Sequence, residues 1–144
     1  MARIDRRRLD DTTHSLAFDV PVRFDDIDVQ GHVNNAAAVV ILQETRADFN
    51  LALGLSRLRG ELRVMVAALS VEYAAEMHHP GLITVHTGVL AIGRSALTLG
   101  QVARQNGRSA LYAQAVLVFA DETGSAAIPS AARAAYARYQ IAAP

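Results

Sequence analysis

The spacing of apolar and polar positions changes twice along the chain. Residues 15 to 24, "SLAFDVPVRF", alternate well enough to predict a first strand. Pro21 has no amide hydrogen, which suits a sheet edge or a bulge. Residues 34 to 54, "NNAAAVVILQETRADFNLALG", abandon the alternation. Asn34 or Asn35 can cap a first helical turn and Gly54 suits the left-handed position after a last one, so one helix is predicted between them. Its first half, Ala36 to Leu42, is apolar all round, which predicts burial on every side. Its second half turns amphipathic, with Gln43, Glu44, Arg46, Asp48 and Asn50 polar.

After Gly60 four strand-like runs follow, at 62–77, 81–93, 95–105 and 109–122. Alternation is clearest in "LITVHTGVLAI" and "LTLGQVAR". The breaks "HHPG", "IGR", "QNGR" and "DETGS" carry turn residues, and the Asn-Gly pair favours a tight hairpin. Links this short predict neighbouring antiparallel strands, because parallel pairs need long crossovers. Pro129 opens a short final helix over 129–139. Residues 1–13 read as a mobile tail. The order is strand, helix, four strands: an α+β chain whose antiparallel sheet wraps the long helix. That helix would keep one side uncovered, which points to a partner subunit. With 144 residues and no linker, one domain is expected.

Composition removes several chemistries. The chain has no Cys, so disulfides, thiolate metal sites and cysteine nucleophiles are excluded. All 14 basic residues other than His are Arg; without Lys there is no Schiff base and no phosphate-loop lysine. The 14 acids balance the arginines, so the field needed for general nucleic-acid or anionic-membrane binding is missing. The "RRR" at 6–8 is diluted by Asp5, Asp10 and Asp11 and reads as a solvated tail. No apolar run suggests a secretory signal or a membrane span, so a cytoplasmic protein is expected.

The chemistry concentrates in "DDIDVQGHVNNAAAVV", residues 25 to 40. Each polar residue there has an ordinary structural explanation. Asp25, Asp26 and Asp28 can turn the loop and complement a helix dipole, Asn34 and Asn35 can cap, and His32 can pack with one nitrogen bonded. Together they form a plausible site. A helix start offers unpaired amides able to stabilise the oxyanion of an acyl-transfer intermediate, and Asp28 lies close enough in sequence to act as base or nucleophile. Serine hydrolase chemistry lacks its G-x-S-x-G sequence, and the adjacent His78 and His79 lack helical metal-ligand spacing and fit a turn. His86 alternates with apolar residues and reads as an ordinary sheet residue.

These residues carry a resemblance. "VRFDDIDVQGHVNNAAAVVILQETRADF" (22 to 49) closely resembles the signature of hotdog-fold acyl-CoA thioesterases of the 4-hydroxybenzoyl-CoA thioesterase-like family. Phe24, Asp26, Asp28, Gly31, His32, Val33, Asn34, Asn35, Glu44 and Arg46 fill the pattern's places, and the later strands follow the family too. The resemblance implies a hotdog fold, a five- to six-stranded antiparallel sheet around a central helix. It implies hydrolysis of an acyl thioester, with Asp28 at the position of the catalytic carboxylate and the amide near Asn35 polarising the carbonyl. Gln30 and His32 fall where some relatives add polar side chains, Asp26 and Asn34 where the loop is supported, and Arg94 and Ser95 where relatives contact coenzyme A.

It further implies no cofactor, since coenzyme A is part of the substrate, no metal, and a homodimer or homotetramer with sites built from both subunits. Two departures stand out. Ala38 replaces a usual aromatic, which would widen an acyl pocket or change the packing, and Gly81-Leu82 replaces a usual Gly-Asp. Hydrolysis of acyl groups from acyl carrier protein, and a non-catalytic acyl-CoA-binding role, are the alternatives.

Overall fold

The computed structural model describes residues 3–143. After α1 (Arg6–Asp10) come β1 (Leu16–Pro21), one 3-10 turn (Phe24–Asp26), α2 (Asn35–Leu53) and α3 (Leu55–Leu58). The rest is β2 (Arg63–Tyr73), β3 (Leu82–Ile92), β4 (Ala96–Gln105), β5 (Arg108–Asp121), the two-residue β6 (Gly124–Ser125) and α4 (Ser130–Ala137). The strands form one antiparallel sheet in the order β1-β3-β4-β5-β2, with β6 added to β5. It curls around α2, the hotdog arrangement expected from the motif.

The ends of α2 follow from local chemistry. The Asn34 side chain accepts from the Ala36 amide, and Gly54 takes the left-handed conformation, φ 78°, that closes the helix. Ala38, Ile41, Leu42, Thr45, Arg46 and Phe49 form the buried stripe. Burial on every side of the first half does not occur within one chain, since Ala36 and Val40 face outward. Arg46, expected on the polar side, is turned inward and is only 7 % exposed. Residues two apart on a helix face different ways, so Glu44 stays outside while Arg46 meets the sheet. There its guanidinium donates to Gln101 Oε1 at 3.2 Å. The Gln101 amide in turn donates to Leu42 O, Thr45 Oγ1 and Thr87 Oγ1, so a buried polar cluster fixes the helix over β3 and β4.

Two further sequence expectations change. First, β2 and β3 are not neighbours: β2 pairs with β5 at one edge, while β3 lies between β1 and β4. The Ala74–Gly81 link crosses beneath the β4–β5 hairpin, held by Gln105, whose side chain accepts from the His78 amide and donates to the His78 carbonyl. Eight residues are long enough for either a hairpin loop or this crossing, so length alone did not decide. Second, the expected N-terminal tail is docked on the sheet from Arg3 onward; Met1 and Ala2 lie outside the described residues. Ile4 and Leu9 are buried against Leu90, Val102, Tyr112 and Ile141 on the face away from α2. Gly88 and Gly100 are paired in register, and a Cβ on either would run into Ile141 or Leu9. Arg6 pairs with Glu72 at 2.9 Å, and Arg8 donates to three backbone carbonyls, of Leu90, Ile141 and Ala142. Pro21 does sit on an edge strand, as expected. Among the described residues no helix is long and apolar enough to cross a membrane.

Candidate active site

The loop between the 3-10 turn and α2 is built on its aspartates. Asp26 is 4 % exposed. Its carboxylate accepts from the Arg23 amide at 2.9 Å and from the Arg23 guanidinium at 3.1 Å. Its carbonyl accepts from the Asn34 amide at 2.7 Å, which closes the loop at the foot of α2. Burial pushes the Asp26 carboxyl up, but the Arg23 amide and guanidinium outweigh it and hold it below the usual carboxylate range. Asp25 is exposed at the surface.

Asp28 is half-buried. Its Oδ1 accepts from the amides of Gln30 at 2.9 Å and His32 at 3.2 Å, and its own amide donates to the His32 carbonyl at 2.9 Å. Gly31, at φ 83°, makes the tight return possible. These bonds set the carboxylate by one oxygen and leave Oδ2 with no protein partner among the described residues. The Asn35 amide, at the first turn of α2, likewise donates to no protein acceptor among them. The Asn35 carbonyl accepts from the Tyr73 hydroxyl at 3.0 Å.

Asp28, Gln30, His32 and Asn35 all line one cleft of about 720 Å³ between the start of α2 and the end of β2. Val33, Ala38 and Met77 are its buried apolar lining, and Tyr73, Glu76, His78 and Arg108 contribute polar groups. The four sequence-predicted residues of the loop and helix start are therefore brought together. Arg94 and Ser95 are not. They lie in the β3–β4 turn, whereas the cleft lies at the β4–β5 end, and the ten residues of β4 between them span about 30 Å. The Arg94 carbonyl instead accepts from the Ile128 amide, and the Ser95 carbonyl from the Phe119 amide.

Tyr73, Glu76, His78 and Arg108 were missed. An acid beside two histidines in "AAEMHHP" was visible, but only the crossing of the β2–β3 link brings it to His32. His86 is, as expected, a sheet residue of β3; it meets Ser15 at 3.2 Å, and burial pushes its imidazole below the ordinary histidine value.

An antiparallel sheet curled on one long helix, with a carboxylate and a bare helix-start amide sharing a cleft at one end, defines a hotdog protein. Residues 22–136 match the model of the thioesterase-like superfamily, and the chain belongs to that family. It is thereby a thioester hydrolase. A predicted thioesterase from Bacillus stearothermophilus is similar to it at 25 % identity and a TM-score of 0.80, over 90 % of this chain and 99 % of that one. A thioesterase from Thermus thermophilus, solved with coenzyme A and Zn, is similar at 28 % identity and a TM-score of 0.74, over 85 % and 92 %. The uncharacterised Bacillus subtilis protein YsmA is 26 % identical over 88 residues, 61 % of this chain; the match spans about 60 % of that protein's length.

The depressed Asp26 carboxyl gives a pH test. Stability from a lowered carboxyl is fully present above the unfolded value, about pH 4, and drains away as pH falls through the lower folded value. Asp26→Asn keeps an acceptor for the Arg23 amide but loses the charge. Urea unfolding should show a loss of roughly 1–3 kcal/mol at pH 7 that shrinks toward pH 3. An equal loss at both pH values would contradict this account of Asp26.

Proposed function

We propose that the chain hydrolyses acyl-CoA thioesters to a carboxylate and free coenzyme A, with Asp28 acting on the carbonyl carbon and the Asn35 amide receiving the carbonyl oxygen. The observation that carries this reading is the shared cleft: Asp28 with one unengaged carboxylate oxygen, and the unengaged first amide of α2. A thioester is already activated, so one positioned base, worth roughly 10²–10⁴-fold, and one oxyanion donor, worth about 3 kcal/mol, are adequate. The cleft is open and partly polar, so water reaches Asp28, which favours the base role. Gln30 and His32 stand beside the carboxylate as further polar contacts. Ala38 in the cleft wall leaves room for the acyl group where an aromatic would fill it. Coenzyme A as the carrier is supported by the Thermus relative solved with it. Arg108, on the β4–β5 turn at the cleft, has no acidic partner among the described residues and suits the phosphates of that carrier. Arg94 and Ser95 could reach a cleft only from a second copy.

The second copy belongs at β2. This edge strand is 11 residues long, is paired only with β5, and leaves Met65, Val66 and Tyr73 exposed. Grooves between it and α2 open at both of its ends, with Leu51 exposed beside the second. A long unguarded edge is an invitation to pair, and antiparallel pairing about a two-fold axis satisfies both copies at once. It would bring the start of one β2 beside the cleft at the end of the other, giving sites walled by both subunits.

Four outcomes are expected. Asp28→Asn preserves an oxygen for the Gln30 and His32 amides, so its melting point should hold while kcat falls roughly 10²–10⁴-fold. Undiminished hydrolysis would remove Asp28 from the mechanism. A single turnover in H2¹⁸O should place label in the acid product; unlabelled product would make Asp28 the attacking group. Arg108→Ala should raise KM for an acyl-CoA roughly threefold to tenfold and leave KM for the matching N-acetylcysteamine thioester, which lacks phosphates, unchanged. Equal effects on both substrates would argue against a phosphate contact. Sedimentation should give about twice the 15.4 kDa chain mass, and Val66→Glu should shift it toward the monomer; a monomeric wild type would exclude pairing at β2.

A further inference from the structure

His32 is held from several sides, and one of its holders has no part in the mechanism above. Its backbone is locked to Asp28 through the amide and carbonyl, and it bridges to His78 as a short antiparallel pair. Its ring stands edge-on to the His78 ring, with centroids 5.3 Å apart. Its Nε2 lies 3.1 Å from Glu76 Oε2, and His78 Nε2 lies 3.9 Å from the same oxygen. A carboxylate accepts and does not donate, so Glu76 fixes the proton of the neutral imidazole on Nε2. Nδ1 is then the functional nitrogen, and no protein group pairs with it among the described residues. His32, Glu76, His78 and Asp28 all line the same cleft.

We infer that Glu76 is a positioning residue for His32, holding the imidazolium so that Nδ1 delivers a proton to the departing sulfur while Asp28 takes one from water. This rests on the thioester-hydrolysis reading and adds the acid to its base. Water gives a proton to Asp28 as its oxygen bonds to the carbonyl carbon. The tetrahedral intermediate then breaks its C–S bond, and the sulfur takes the Nδ1 proton. The Asp28 proton restores His32, and the acid product loses its own proton to solvent. One water is consumed, and a carboxylate, a proton and a thiol leave. The pairing divides the labour as acid–base sites do, with a carboxylate and an imidazole in unlike surroundings.

The charged and titratable groups facing His32 are Glu76 and His78 from the β2–β3 link, Asp28 from its own loop, Tyr73 from the end of β2 and Arg108 from the β4–β5 turn. Of these, Glu76 is the anion in contact with the ring, so its removal frees the ring's orientation. Its side chain is 62 % exposed, and exposed pairs add little to stability, so the variant should fold normally.

The test is kcat and KM for wild type, Glu76→Gln, Glu76→Asp and His32→Gln on an acyl-CoA and on the matching thiophenol thioester, whose thiolate departs without needing a proton. Glu76→Gln should cut kcat on the acyl-CoA roughly tenfold with KM held, a part of the 10²–10⁴-fold that a placed proton donor supplies, and leave kcat on the thiophenol thioester nearly unchanged. Glu76→Asp should recover much of the loss, and His32→Gln should show the same split more strongly. Equal losses on both substrates, or a Glu76→Gln enzyme as fast as wild type on the acyl-CoA, overturn the inference. If wild type hydrolyses neither thioester, the function itself fails; if it does and the split is absent, the positioning role alone fails.

Discussion

The hydrogen bond from the Asn34 amide to the Asp26 carbonyl ties the two ends of one loop together, and the site depends on it. Asp26 in turn is held by Arg23, and Asn34 caps α2. A displacement at this closure would move the Asp28 carboxylate and the first helical amides relative to each other. Both chemical elements of the cleft are thus placed by backbone bonding a few residues apart. Geometry set this way is stiff, because side chains that bond nearby backbone leave a turn few alternative conformations.

The same locality explains what the sequence made legible. The cap at Asn34, the stop at Gly54 and the Asn-Gly hairpin of β4 and β5 each depend on a few adjacent residues, and each is found as expected. Asp28, Gln30, His32 and Asn35 were legible as a group because one loop carries them all. What was hidden depends on the path of the chain through space. The β2–β3 link could have been a hairpin, and only its crossing brings Glu76 and His78 to His32. Arg94 looked available because a glycine turn exposes it, but the length of β4 carries it to the far end. Arg46 looked like a polar helix residue, and its burial depended on Gln101, fifty-five positions away. The N-terminal segment looked solvated because its charges were visible while the glycine that receives its Leu9, Gly100, lies in a distant strand.

The architecture separates two tasks. The face of the sheet away from α2 is sealed by α1, the C-terminal segment and their arginine clasps, and carries no part of the candidate site. The face toward α2 is closed over β3 and β4 by the Gln101 cluster but left open along β2. Rigidity is concentrated where the helix is anchored, and access where the strand diverges from it. The candidate site thus borders the one long edge, β2, that no other strand of the described residues covers on its outer side.

Ala38 carries a different consequence. It sits one turn above the first helical amides, and its side chain, a single methyl group that offers no hydrogen bond, lines the hollow. The depth of the hollow can therefore drift by exchange at one codon while the polar rim keeps its geometry.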